Sequence, residues 1–148
     1  MRTMIRWPVF LWYLSWSAWE DLRYRRIPNR LLAQFLAAEA ALRLWDCLAA
    51  GGLRPLFWSC GGLLAGAGLL FFVRLLSGGG IGAGDVKLLG IVGFHVGGKL
   101  VVRAAAMSCV LAAGACTVLL LLKKLEPEDG IPLAPFLLAG TLAAVMAG

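Results

Sequence analysis

Residues 55–73, 104–122 and 130–148 each run for 19 positions without an acidic or basic side chain. At ~1.5 Å per helical residue, such a run covers about 28 Å, close to the ~30 Å hydrocarbon core of a bilayer. The pattern predicts three membrane-spanning helices there. Three further spans follow from shorter or interrupted runs. Residues 7–19 form one, with Arg2 and Arg6 snorkelling at its outer end. Residues 86–102 form a short one that starts beside Asp85. Residues 28–48 carry Glu39, Arg43 and Asp46 at i, i+4 and i+7, so one helix face holds all three and they can pair with each other. The expected fold is all-α: a polytopic transmembrane helical bundle of about six spans. It forms a single membrane-embedded domain over residues 1–148, with no separate soluble domain.

Composition points the same way. The 148 residues are 61% hydrophobic and 15% charged, where a soluble domain has roughly 45–50% and 25%. The N-terminal apolar run is followed by four arginines and lacks a small-residue cleavage site before them, which reads as an anchor and not a cleaved signal peptide. The net charge of +6 does not form a basic patch interleaved with aromatics, so nucleic acid is excluded as a partner. It reads as topology instead. Arg23, Arg25, Arg26 and Arg30 follow the first span, against Arg2 and Arg6 before it, which places that loop in the cytoplasm. Lys123 and Lys124, in the polar loop 123–130, fall on the same side, while Lys99 and Arg103 fall on the other.

Several residue types invite a sharper reading than they need. Cys47, Cys60, Cys109 and Cys116 form no CxxC pair and read as buried, inert thiols. Gly62 with Gly66, and Gly93 with Gly97, are GxxxG pairs suited to close helix packing. Trp12, Trp16 and Trp19 share one helix face and suit an interfacial aromatic belt. His95 stands without a second metal-type ligand nearby and reads as a hydrogen-bonded structural histidine.

Two carboxylates remain. Asp21 lies just past the first span and Asp85 just before the fourth, inside "GAGDVKLLG". Two crossings separate them, so both fall on one membrane face, and the arginine loop makes that face cytoplasmic. Isolated carboxylates near a bilayer core cost at least ~2.5–3.5 kcal/mol and mark function by default. Brought to about 3 Å apart, two of them hold one proton between them. The ionised member can then deprotonate water while the protonated one polarises a peptide carbonyl. Gly82 and Gly84 let a substrate backbone pass close to Asp85. Asp85 itself sits where the N-cap of the fourth span belongs.

Taken together, Asp21 with Pro28 seven residues on, "GAGDVK" at 82–87 and "IPLAPF" at 131–136 resemble the type IV prepilin peptidases, members of the GxGD class of membrane aspartic proteases. The resemblance runs from Ala18 to Gly140 with the three motifs in order. It implies that Asp21 and Asp85 are the catalytic pair and that Gly82 and Gly84 are motif glycines. Pro28, Asn29, Lys87, Pro132, Pro135 and Phe136 match patterned positions. It also implies an enzyme needing no cofactor or metal, multi-pass in the cell membrane. Its substrate would be a prepilin or pseudopilin of Flp or similar type. The cut, at the cytoplasmic face, follows a glycine preceding the hydrophobic pilin helix and removes a short basic leader. Longer members that also methylate the new N-terminus carry paired CxxC motifs, which this sequence lacks, so the expectation is cleavage without methylation. Presenilin-like proteases are set aside, because Glu20 and not tyrosine precedes Asp21, and about nine spans do not fit.

Two rival classes are a small transporter using Asp21 and Asp85 as a proton relay, and a non-catalytic pilin-assembly scaffold. A relay would need polar residues through the midplane. The third, fifth and sixth spans offer almost none.

Overall fold

Helices account for nearly all of the computed structural model, which describes residues 2–78, 80–122 and 132–147. The predicted polar loop 123–130, with Lys123 and Lys124, lies outside the described residues, as does the side chain of Arg2. In chain order the helices are α1 (Arg2–Tyr24), α2 (Asn29–Ala50), α3 (Arg54–Leu76), α4 (Ala83–Val96), α5 (Gly98–Leu121) and α6 (Ala134–Met146). No strand occurs among the described residues.

The span pattern holds in part. Among the described residues, only α3 and α5 combine the length and apolar character needed to cross a membrane; α6 is apolar but has 13 residues. The expected span over 86–102 is two helices. Gly97 adopts φ 86° and ψ 167°, ending α4 after 14 residues and starting α5 at once. Lys99 and Arg103 therefore belong to the first turns of α5.

α4 is the central element, buried continuously from Leu88 to His95. It packs most extensively on α3, and small residues allow the close approach. A Cβ on Gly62 would overlap the Gly93 carbonyl, and one on Gly66 would overlap that of Leu89. Phe10 and Leu14 of α1, Phe35 of α2, Leu70 of α3, Val101 of α5 and Leu137 of α6 close the core around it. Trp12, Trp16 and Trp19 point outward from α1, as an aromatic belt requires. Of the four thiols expected to be buried, Cys60 and Cys109 are instead exposed on α3 and α5.

The polar stripe of α2 pairs differently from expectation. Arg43 does approach Asp46, at 3.8 Å. Glu39, however, turns to α4 and meets His95 Nδ1 at 2.8 Å, both side chains being buried. The Arg43 guanidinium instead donates to the carbonyls of Phe94 and His95, the end of α4. Arg6 donates to Asp46 at 2.8 Å and is largely buried, so it does not snorkel.

Candidate active site

Asp21 and Asp85 come from α1 and α4 and line one cleft of about 310 Å³, beside Asn29, Gly82, Gly84 and Lys87. Local chain geometry brings them there. α1 ends at Tyr24, and Arg25 takes the left-handed conformation, φ 49°, with its N–H bonded to the Asp21 carbonyl at 2.8 Å. This closes the helix as a left-handed cap does and turns the chain back over α4. Pro28, extended at φ −63° and ψ 131°, then leads into α2. Ile27 packs on Gly84, where a Cβ would stand only 3.3 Å from the Ile27 Cβ. The second motif glycine therefore serves close approach of the α1–α2 connection.

The first serves Asp85 itself. α4 begins at Ala83 with Gly82 as its cap residue, so Asp85 occupies the third helical position and not the N-cap. From there its carboxylate reaches back to the Gly82 amide, the reciprocal half of a capping box. A Cβ on Gly82 would stand 3.0 Å from Asp85 Oδ2. Arg74, at the end of α3, donates to the Ile81 carbonyl and ties down the approach to this turn.

The third motif acts through its backbone. The Ala134 N–H donates to Asp21 Oδ2 at 3.0 Å, and the Leu133 amide supports the same carboxylate. Pro132 and Pro135 have no N–H, so "PLAP" offers only those two donors, at the positive end of α6. Pro28, Pro132, Pro135 and Phe136 do not line the cleft. The prolines set backbone where α2 and α6 begin, and Phe136 is half-buried in the first turn of α6. Lys87 Nζ donates to Asn29 Oδ1 at 2.9 Å, an exposed bond that joins α4 to α2 beside the cleft.

The two acids differ electrostatically. Both lie outside the apolar spans. Burial raises the Asp21 carboxyl above its ordinary range, opposed by the amides of Ala134 and Leu133. Burial raises Asp85 further, to about 7, with the Asp21 charge adding to it and the Gly82 amide opposing. Asp85 Oδ1 is buried without a hydrogen-bond partner. Two carboxyls with separated affinities and one oxygen free to engage a ligand are what shared-proton chemistry requires.

Sequence reasoning missed the amides of Leu133 and Ala134, and the cleft residues Arg25, Arg26, Ile27 and Ala83. The paired prolines were the available signal for the former.

The model of the type IV leader peptidase family matches residues 8–122. A prepilin leader peptidase/N-methyltransferase of Bacillus subtilis (strain 168) is 34% identical over 143 residues, covering 95% of this chain and 54% of its own. The chain thus spans about half the length of the curated relative it matches. No solved structure matches it. With both acids of the cleft lying within the matched residues, the chain belongs to the type IV leader peptidase family.

Proposed function

We propose that this chain is a membrane aspartic endopeptidase that removes the basic leader from a prepilin or pseudopilin, with Asp21 and Asp85 as its catalytic pair. The observation that carries this is the cleft shared by the two acids, one held by amides and the other lifted to about 7. Asp21, with two amide donors, is the ionised partner, and Asp85 carries the shared proton.

The step balances without a covalent intermediate. Asp21 takes a proton from water as the oxygen attacks the peptide carbon, while Asp85 gives its proton to the carbonyl oxygen. As the diol collapses, one hydroxyl proton returns to Asp85, Asp21 protonates the departing nitrogen, and the C–N bond breaks. Both acids end as they began. Only the peptidase half of the relative's printed name is proposed here, since paired carboxylates bear on hydrolysis alone.

The spans and orientation belong to the same reading. All six helices traverse or enter the bilayer as one membrane-embedded unit, multi-pass in the cell membrane. The arginines around 23–30 lie at the cytoplasmic face, and the cleft opens there. Gly82 spares the Asp85 carboxylate a clash and Gly84 seats Ile27 of the α1–α2 connection, while the exposed Lys87–Asn29 pair joins α4 to α2 beside the cleft.

Co-expression with a prepilin from the same source is expected to yield the shortened pilin. Asp21→Asn and Asp85→Asn are each expected to abolish the shortening. Unchanged processing in either variant overturns that residue's assignment, and no processing by the unaltered chain overturns the function.

A further inference from the structure

A second hollow, of about 340 Å³, adjoins the catalytic cleft and shares Asn29 and Lys87 with it. Beyond that pair its walls are aliphatic. On α2 the lining residues after Asn29 are Leu32, Ala33 and Leu36, one face at i+3, i+4 and i+7. On α4 they are Gly90 and Ile91, at i+3 and i+4 from Lys87. Both helices start at the cleft, so the hollow is a groove running along them from the Lys87–Asn29 contact for roughly 10 Å. Leu63 and Ala67 of α3 close its far wall.

The groove exists because three side chains are small or absent. Gly90 lies so near Ala67 that a Cβ would stand 3.1 Å from the Ala67 Cβ, and Ala33 on the opposite wall is exposed. We infer that this groove receives the first apolar side chains on the far side of the scissile bond, seating the start of the substrate's hydrophobic helix. This rests on the peptidase reading above. A chain leaving the cleft past Lys87 enters walls that offer its backbone no hydrogen-bond partners, so it must satisfy its amides internally and leave as a helix with apolar side chains. The volume lies at the low end of the ~300–1,000 Å³ of ligand sites. It therefore accommodates a few side chains from one face, and the helix itself stays outside the groove.

Ala33 on α2 and Leu36 one turn on therefore set which residues are accepted after the cut. The test uses two reporter substrates with the same basic leader and cut-site glycine, differing only in the first two apolar residues after it, alanine in one and leucine in the other. Ala33→Trp, which fills the groove, is expected to lower kcat/KM for the leucine substrate at least about tenfold more than for the alanine substrate. Leu36→Ala, which enlarges it, is expected to shift the ratio the other way. An unchanged ratio in both variants, with the unaltered chain cutting both substrates, overturns this inference alone and leaves the groove to a lipid acyl chain. Failure of the unaltered chain to cut either substrate overturns the parent reading and this one with it.

Discussion

The Ala134 N–H donates to Asp21 Oδ2 over 3.0 Å, so the start of α6 holds the carboxylate that the end of α1 presents. A bond from an amide to a charged acceptor contributes about 1.5–3 kcal/mol, and its loss raises the pKa of the acceptor. Ala134→Pro removes the donor at a helix start that tolerates proline, whereas Ala134→Gly keeps it. The proline variant is expected to lose most of its turnover, and the acid limb of its pH profile should move to higher pH. The glycine variant is expected to keep both. Matching profiles in the two variants would show that this amide does not tune Asp21.

The pair also fixes the shape of the unaltered profile. Cleavage needs one proton shared by two acids, a state populated above the step at which Asp21 ionises and below that of Asp85. With Asp85 lifted to about 7, activity is expected to fall as pH rises through about 7, and to fall again on the acid side as Asp21 gains its proton. The two limbs report the pair and not either residue alone. Initial rates of leader cleavage in detergent from pH 4 to 9 measure it; a rate still rising at pH 9 would contradict the shared-proton arrangement.

Stability carries the same signature with a definite sign. The folded-state value of about 7 for Asp85 stands against ~3.9 in an unfolded chain. The folded protein therefore binds more protons between those values, and its stability falls as pH rises through that window. Asp85→Asn removes the buried charge. It is expected to be inactive yet roughly 2–4 kcal/mol more stable than the unaltered chain at pH 8, with little difference at pH 4. Thermal unfolding at the two pH values reads this directly.

Much of this arrangement was legible because it is local. Runs of uncharged residues located the helices, and "GAGD" and "IPLAPF" marked both walls of the site. What stayed hidden depends on tertiary partners. The break at Gly97 carries no proline or polar cluster to announce it, so the apolar run 86–102 read as one helix. Asp85 looked like a cap because it follows the glycines directly; only the backbone shows it three residues past the cap, in the first turn, reaching back to Gly82. Arg6 and Glu39 were assigned local roles, because their partners Asp46 and His95 lie 40 and 56 residues away in sequence.

Helix packing gives a test that separates two glycines of α3. Gly62 faces the Gly93 carbonyl so closely that a methyl group requires the backbones of α3 and α4 to part, while a Cβ on Gly68 would meet nothing within 4 Å. Gly62→Ala is expected to destabilise by roughly 1–3 kcal/mol. Gly68→Ala is expected to be neutral or to gain up to about 1 kcal/mol from helix propensity. Equal melting temperatures for the two variants would show that the α3–α4 contact is not close.

The buried Glu39–His95 pair decides whether His95 serves the fold or the chemistry. It stands at the far end of α4 from Asp85, ten residues and about 15 Å along the helix axis. Glu39 is fully buried, with Oε2 against His95 Nδ1 at 2.8 Å and Oε1 without a partner. His95→Leu strands that carboxylate, and breaking a buried pair from one side costs about 3–5 kcal/mol. Replacing both groups with apolar side chains removes the stranded charge, so Glu39→Leu combined with His95→Leu is expected to recover most of the loss. A structural histidine predicts that the double variant still cleaves a prepilin at temperatures where it stays folded. A folded but inactive double variant would instead place His95 in the reaction, and would require a path from the end of α4 to the cleft at its start.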